Sequence, residues 1–153
     1  MSLKPDVTVA ALIERDGSFL VVEELIDARL VFNQPAGHLE PGETLIEAVV
    51  RETREETARR FLPQALLGVY LWREPRSGQS FLRFAFTGSA SEPDERQPLD
   101  QDIVRTHWLT RGELLERQPQ LRSPLVMRCV DDYLSGQRHA LSALACLNPL
   151  GAP

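Results

Sequence analysis

One stretch, from Gly37 to Arg59, limits what this chain can fold into more than any other. It opens as a loop, because Pro35, Gly37, Pro41 and Gly42 all resist regular structure. From Leu45 the apolar residues Leu45, Ile46, Ala48, Val49 and Val50 start a helical pattern, with Glu43 or Thr44 as the N-terminal cap. On a wheel with Glu52 at zero, Glu55 falls near ~300° and Glu56 near ~40°. Leu45, Ala48 and Val49 share that arc, so three carboxylates continue the inward stripe, while Glu47 and Arg54 point outward with Arg51 at the edge.

Three acids on the buried side of a helix repel one another and lose hydration. A divalent cation relieves both costs. Carboxylate oxygens suit Mg²⁺, with Mn²⁺ as the alternative, and Mg²⁺ commonly also binds substrate phosphates. A second reading stays open at this level: a solvated acidic face with ordinary Glu47–Arg51 and Arg51–Glu55 pairs at i, i+4.

The spacing Gly37, five residues, Glu43, seven residues, Arg51-Glu52, two residues, Glu55-Glu56 resembles the Nudix box, the signature of hydrolases that cleave diphosphate linkages. Two departures stand out. Thr53 occupies a place that is usually aliphatic, and Ala58-Arg59 stands where the family has Gly and an aliphatic residue. That Gly ends the helix in a left-handed turn, at a cost of roughly 1 kcal/mol to other residues. The helix is therefore expected to run past Ala58 or to end differently. Further stretches resemble one branch of the family, the bacterial NudJ-type phosphatases: Asn33 to Glu40, Phe81 to Phe84, Leu121 to Val126 and Ser135 to Arg138.

The resemblance implies an α/β fold, an α/β/α sandwich around a central mixed sheet, in a single domain over 1–153. It implies hydrolysis of nucleoside tri- and diphosphates and of thiamine-type pyrophosphates, releasing inorganic phosphate. It assigns Mg²⁺ to Glu52, Glu55, Glu56 and the Ala36 carbonyl, with Arg51 orienting the acids and Glu43 pairing with Arg51. The base that takes the proton of the attacking water is then Glu52, Glu55 or a loop acid, for which Asp100 and Asp102 are candidates. A sugar-nucleotide or dinucleotide pyrophosphatase and a non-catalytic nucleotide-binding module are the alternatives.

The remaining chain reads as strands over Val7–Glu14, Phe19–Glu24, Leu30–Phe32, Gln64–Trp72, Ser80–Thr87 and Val104–Leu109. Helices are expected over Arg111–Gln118 and Pro124–Ser135, the latter capped by Ser123. In Ser80–Thr87 the alternation puts Leu82, Phe84 and Phe86 on the core face and Phe81, Arg83 and Ala85 on the other. There Arg83 is a candidate phosphate ligand, or a salt bridge on the sheet face, and Phe81 a candidate stacking platform. Gln34 and Gly37, beside the box, are candidate substrate contacts, with loop capping the alternative for Gln34 and Asn33. The tail from Gln137 shows little pattern.

A net charge of −5 without a basic block argues against nucleic-acid and membrane-surface binding and leaves a small phosphorylated substrate as partner. No apolar run reaches membrane-spanning length, and no secretory leader is evident. Cys129 and Cys146 form no metal motif and are expected to be reduced thiols. These features lead to the expectation of a cytoplasmic enzyme, monomeric or homodimeric.

Overall fold

A computed structural model describes residues 4–147; residues 1–3 and the end of the tail, 148–153, lie outside the described residues. The chain order is β1 (Asp6–Leu12), β2 (Glu14–Arg15), β3 (Ser18–Ile26), β4 (Arg29–Asn33), β5 (Ala36–His38), α1 (Leu45–Thr57), β6 (Phe61–Arg73), β7 (Ser80–Ala90), β8 (Ile103–Thr110), α2 (Arg111–Glu116) and α3 (Leu125–Leu134).

Period-two alternation explains how the strands build two cores at once. In β1, Val9 and Ala11 pack with Ala48 and Val49 of α1, while Leu12 packs with Met127, Cys129 and Val130 of α3. Strand β7 divides in the same way: Phe86 faces the α1 side and Ala85 the α3 side. The strands therefore form the middle layer of an α/β/α sandwich. This corrects the one-sided reading of β7, because Arg83 and Ala85 are as buried as Phe86.

The middle layer contains two sheets. In the first, with order β5-β1-β7-β6, β1 runs parallel to β7 and antiparallel to β5, so the sheet is mixed. In the second, β3 pairs antiparallel with β2, β4 and β8. Strand β5 forms where the sequence predicts a loop. Its three residues are held by β1, with Gly37 opposite Val9. Pro63 sits in the edge strand β6 beside a register shift, where a missing N–H is tolerated.

Helix α1 starts at a capping box: Thr44 Oγ1 accepts from the Glu47 N–H at 3.1 Å, and Glu47 accepts from the Thr44 N–H at 2.7 Å. It ends at Thr57, and Ala58 adopts the left-handed conformation at φ 57°, so the expected change of ending does not occur. Two backbone bonds hold this turn: the Ala58 N–H donates to the Arg54 carbonyl, and the Ala58 carbonyl accepts from the Asp94 N–H, both at 2.8 Å. Arg59 then lies over the Trp108 ring, with Cζ 5.4 Å from its centroid, and donates to the Ser91 carbonyl. Thr53 fits an aliphatic site because its hydroxyl is satisfied inside the helix, donating to the Val49 carbonyl at 2.8 Å. Helix α2 is shorter than expected, ending at Glu116, and α3 begins at Leu125, whose N–H donates to Ser123 Oγ.

Candidate active site

The inward side of α1 carries Glu52 and Glu56, both buried, with Glu55 partly exposed beside them. Arg51 ties the acids to the preceding loop. Its Nη1 donates to Glu52 at 2.8 Å and to Glu55 at 3.1 Å, and its Nη2 donates to the His38 carbonyl and to Glu43, both at 3.0 Å. Its Nε donates to the other Glu43 oxygen, so Glu43 and Arg51 form a two-pronged pair. The hydrogen bonds from Arg51 hold the Glu43 carboxyl below its ordinary range. Glu43 is thus a partner of Arg51, and Thr44 is the cap.

The Glu52 side chain reaches from α1 to strand β5, so that a side chain at residue 37 would collide with its carboxylate. A Cβ there would lie 2.1 Å from the Glu52 carboxyl carbon. Next to it, the Ala36 N–H donates to Glu56 at 3.1 Å.

The loop after β7 brings in Asp100. Its N–H donates to the Glu55 carbonyl at 2.9 Å, and carboxylate oxygens of Glu52, Glu55 and Asp100 all lie within 4.8 Å of one another. Asp102 is not in this trio; it lines the neighbouring cleft with Glu24. Glu56 also stands outside the trio. Burial, reinforced by the nearby Glu24 charge, pushes its carboxyl up to about 9. Burial likewise raises Glu52 and Glu24. Crowded, poorly hydrated carboxylates with raised proton affinity fit a hard divalent cation, which would take the place of the protons.

Glu52 and Glu56 form part of the wall of a cleft of about 1790 Å³. Ala36, Gly37, Phe81 and Arg83 line it too. Phe81 does not present a free ring: it stacks on Trp72, with centroids 5.7 Å apart and planes 23° from parallel. Arg83 is 5% exposed and donates to Gln34 at 3.1 Å and Asn33 at 3.4 Å, so it is not a salt bridge on an open sheet face. Gln34, expected at the substrate, is 1% exposed and lies behind Arg83, donating to the Val126 carbonyl at 2.9 Å. His38 is exposed beside Asp6.

The sequence reading missed Glu24 and Trp72. Trp72 was within reach: the turn at Pro75–Gly78 makes β6 and β7 a hairpin, and its register sets Trp72 opposite Phe81. Glu24 carried no signal, because it lies in β3 and its charged neighbours Arg122, Asp102, Arg83 and Glu52 come from separate, distant parts of the chain.

Comparison with known proteins agrees with this arrangement. The pattern of the NUDIX domain matches residues 3–129. The chain is 43% identical over 145 residues to Phosphatase NudJ of Escherichia coli strain K12, covering 95% of this chain and 94% of that one. It superposes on a NUDIX hydrolase from Nitrosomonas europaea with TM-score 0.93 and 45% identity, covering 97% of this chain and 100% of that one. A MutT NUDIX hydrolase from Burkholderia pseudomallei shares the fold, with TM-score 0.70 at 22% identity over 84% of this chain and 98% of that one. These relatives and the full set of charged box positions speak for an enzyme over the binding-module alternative. The chain belongs to the Nudix hydrolase family and is similar to Phosphatase NudJ.

Proposed function

We propose that this enzyme, acting as one domain, hydrolyses diphosphate linkages in nucleoside tri- and diphosphates and in small pyrophosphates such as thiamine pyrophosphate. The reaction is Mg²⁺-dependent and releases inorganic phosphate. The observation that carries this reading is the convergence of Glu52, Glu55 and Asp100 within 4.8 Å, with buried Glu56 beside them on the cleft wall. Glu52, Glu55, Glu56 and Asp100, with the Ala36 carbonyl, would hold the metal. When bound, Mg²⁺ offsets the charge of the diphosphate and makes water a stronger nucleophile.

The chain's own residues divide the remaining work. Arg51, fixed by Glu43 and the His38 carbonyl, orients the Glu52 and Glu55 carboxylates through single hydrogen bonds to each. A carboxylate oxygen of the Glu52–Glu55–Asp100 group accepts the proton of the attacking water. Arg83, on the cleft wall, receives a phosphate oxygen. Phe81, backed by Trp72, offers a flat apolar wall to the ring of the leaving group.

Phosphorus NMR of a small substrate panel tests the reading. With Mg²⁺, a nucleoside triphosphate, a nucleoside diphosphate and thiamine pyrophosphate release inorganic phosphate, and chelation stops the release. Cleavage of ADP-ribose into two monophosphates, with the first three untouched, would overturn it in favour of a sugar-nucleotide pyrophosphatase.

A further inference from the structure

Buried arginines are ordinarily paired with carboxylates, because an unpaired cation loses its hydration and gains nothing in return. Arg83 departs from this. It is 5% exposed, yet among the described residues no carboxylate lies within 4.0 Å of its guanidinium. Its two Nη atoms donate to neutral amide oxygens, those of Gln34 and Asn33, and its Nε has no acceptor.

The Gln34 amide cannot turn round. Arg83 only donates and the Val126 carbonyl only accepts, so Gln34 must present Oε1 to the first and Nε2 to the second. The side chain is therefore a strut between α3 and the guanidinium, fully enclosed at 1% exposure. Asn33 holds the other Nη from the end of β4. A carboxylate at either position would keep the acceptor for the arginine and cancel its charge, though at residue 34 it would give up the donor to the Val126 carbonyl. Neutral amides fix its direction and leave the charge in place. Arg83 lines the cleft, its buried Nε–H has no acceptor, and the thiol of Cys129 is its neighbour on the α3 side.

We infer that Gln34 and Asn33 are positioning residues that hold Arg83 as an uncompensated cation for a substrate phosphate oxygen, and that their neutrality is the functional property. The inference rests on the phosphate-hydrolysing role above, but only on the presence of a phosphate group in the cleft. It does not depend on which leaving group is preferred. Glu24 and Glu56 share the cleft wall, so the anion that Arg83 attracts must be one whose other oxygens are met by cations, as those of a metal-complexed diphosphate are.

The test is Asn33→Asp, which keeps size and the acceptor for Arg83, breaks no bond of the kind that ties Gln34 to Val126, and adds the missing counter-charge. Binding of methylenediphosphonate, a non-hydrolysable diphosphate, is measured by calorimetry in the presence of Mg²⁺ for the wild type and the variant. The expected result is binding weakened at least about tenfold, the scale of one lost charge-assisted contact, with KM raised by a similar factor and kcat changed much less. If Arg83 were only a structural cation, Asn33→Asp would complete its ion pair and leave binding and KM unchanged; that result overturns the inference. So does a wild type that does not bind the probe at all. Gln34→Glu adds the same charge through the other Nη, at the cost of the donor to the Val126 carbonyl, and serves if Asn33→Asp does not fold. In an Arg83→Met background neither acid produces its effect if the inference holds, and an undiminished effect there counts against it. Failure of the substrate panel with retained, charge-sensitive probe binding would strike the substrate reading alone.

Discussion

The Glu52 carboxylate occupies the space in which a side chain on Gly37 would begin: an ideal Cβ would sit 2.1 Å from its carboxyl carbon and 2.2 Å from one oxygen. Glycine is required here because the end of the Glu52 side chain fills the place of a Cβ. Gly37→Ala therefore displaces Glu52. Turnover is expected to fall roughly 100-fold, the cost of an ångström-scale misplacement, while circular dichroism stays that of the native fold. Turnover within twofold of wild type would show that Glu52 can move without consequence.

Glu56 links activity and stability in opposite directions. Burial raises its folded-state pKa from 4.5 to about 9. A carboxyl raised in this way stabilises the fold fully only below its unfolded value near 4.5, and that contribution is lost as the pH climbs through the folded value. In metal-free protein each pH unit inside the 4.5–9 window costs up to about 1.4 kcal/mol from this one group. Glu56→Gln removes that slope. Thermal melts of the metal-free proteins from pH 5 to 9 should show a flatter decline for the variant, and turnover should drop by several orders of magnitude. A folded Glu56→Gln protein with near-normal turnover would remove Glu56 from the metal site.

Arg51 is a fork, and lysine is not. Five acceptors meet its three nitrogens: both oxygens of Glu43, one each of Glu52 and Glu55, and the His38 carbonyl. Arg51→Lys preserves the charge but can reach only part of this set. A loss of about 10- to 100-fold in kcat or in the Mg²⁺ concentration needed for half-activity is expected, the usual scale for residues that orient metal ligands. A metal titration of initial rates measures it.

The exit of α1 gives a prediction about stability alone. Ala58 carries a Cβ at φ 57°, a conformation that suits glycine. Ala58→Gly trades that strain against a lost buried methyl and should change stability by less than about 1 kcal/mol. Ala58→Val adds β-branching at positive φ and should cost about 2 kcal/mol or more. Urea unfolding of the two variants separates them.

Much of the site could be read from one helical period. The phase that joins Glu52, Glu55 and Glu56 to Leu45 and Val49 is local, and local geometry follows from spacing. Asp100 could only be nominated, because its place depends on the path of an irregular loop, fixed by its own N–H bonding back to the Glu55 carbonyl. Arg83 was placed on the right face of its strand, but alternation cannot say that α3 covers that face. Strand β5 was hidden because its short Ala-Gly-His run owes its extension to pairing with β1. Ala58 misled for a different reason: two backbone hydrogen bonds in the surrounding turn outweigh a local preference of about 1 kcal/mol.

The pairing of Trp72 with Phe81 has a practical consequence. The chain has two tryptophans, and they stand in unlike surroundings. Trp108 lies under the guanidiniums of Arg15 and Arg59, at 4.8 and 5.4 Å, away from the cleft. Trp72 stands in the cleft wall. With Trp108 changed to Phe, all indole emission would come from that wall, and occupancy of the cleft becomes an optical signal that needs no label and no turnover.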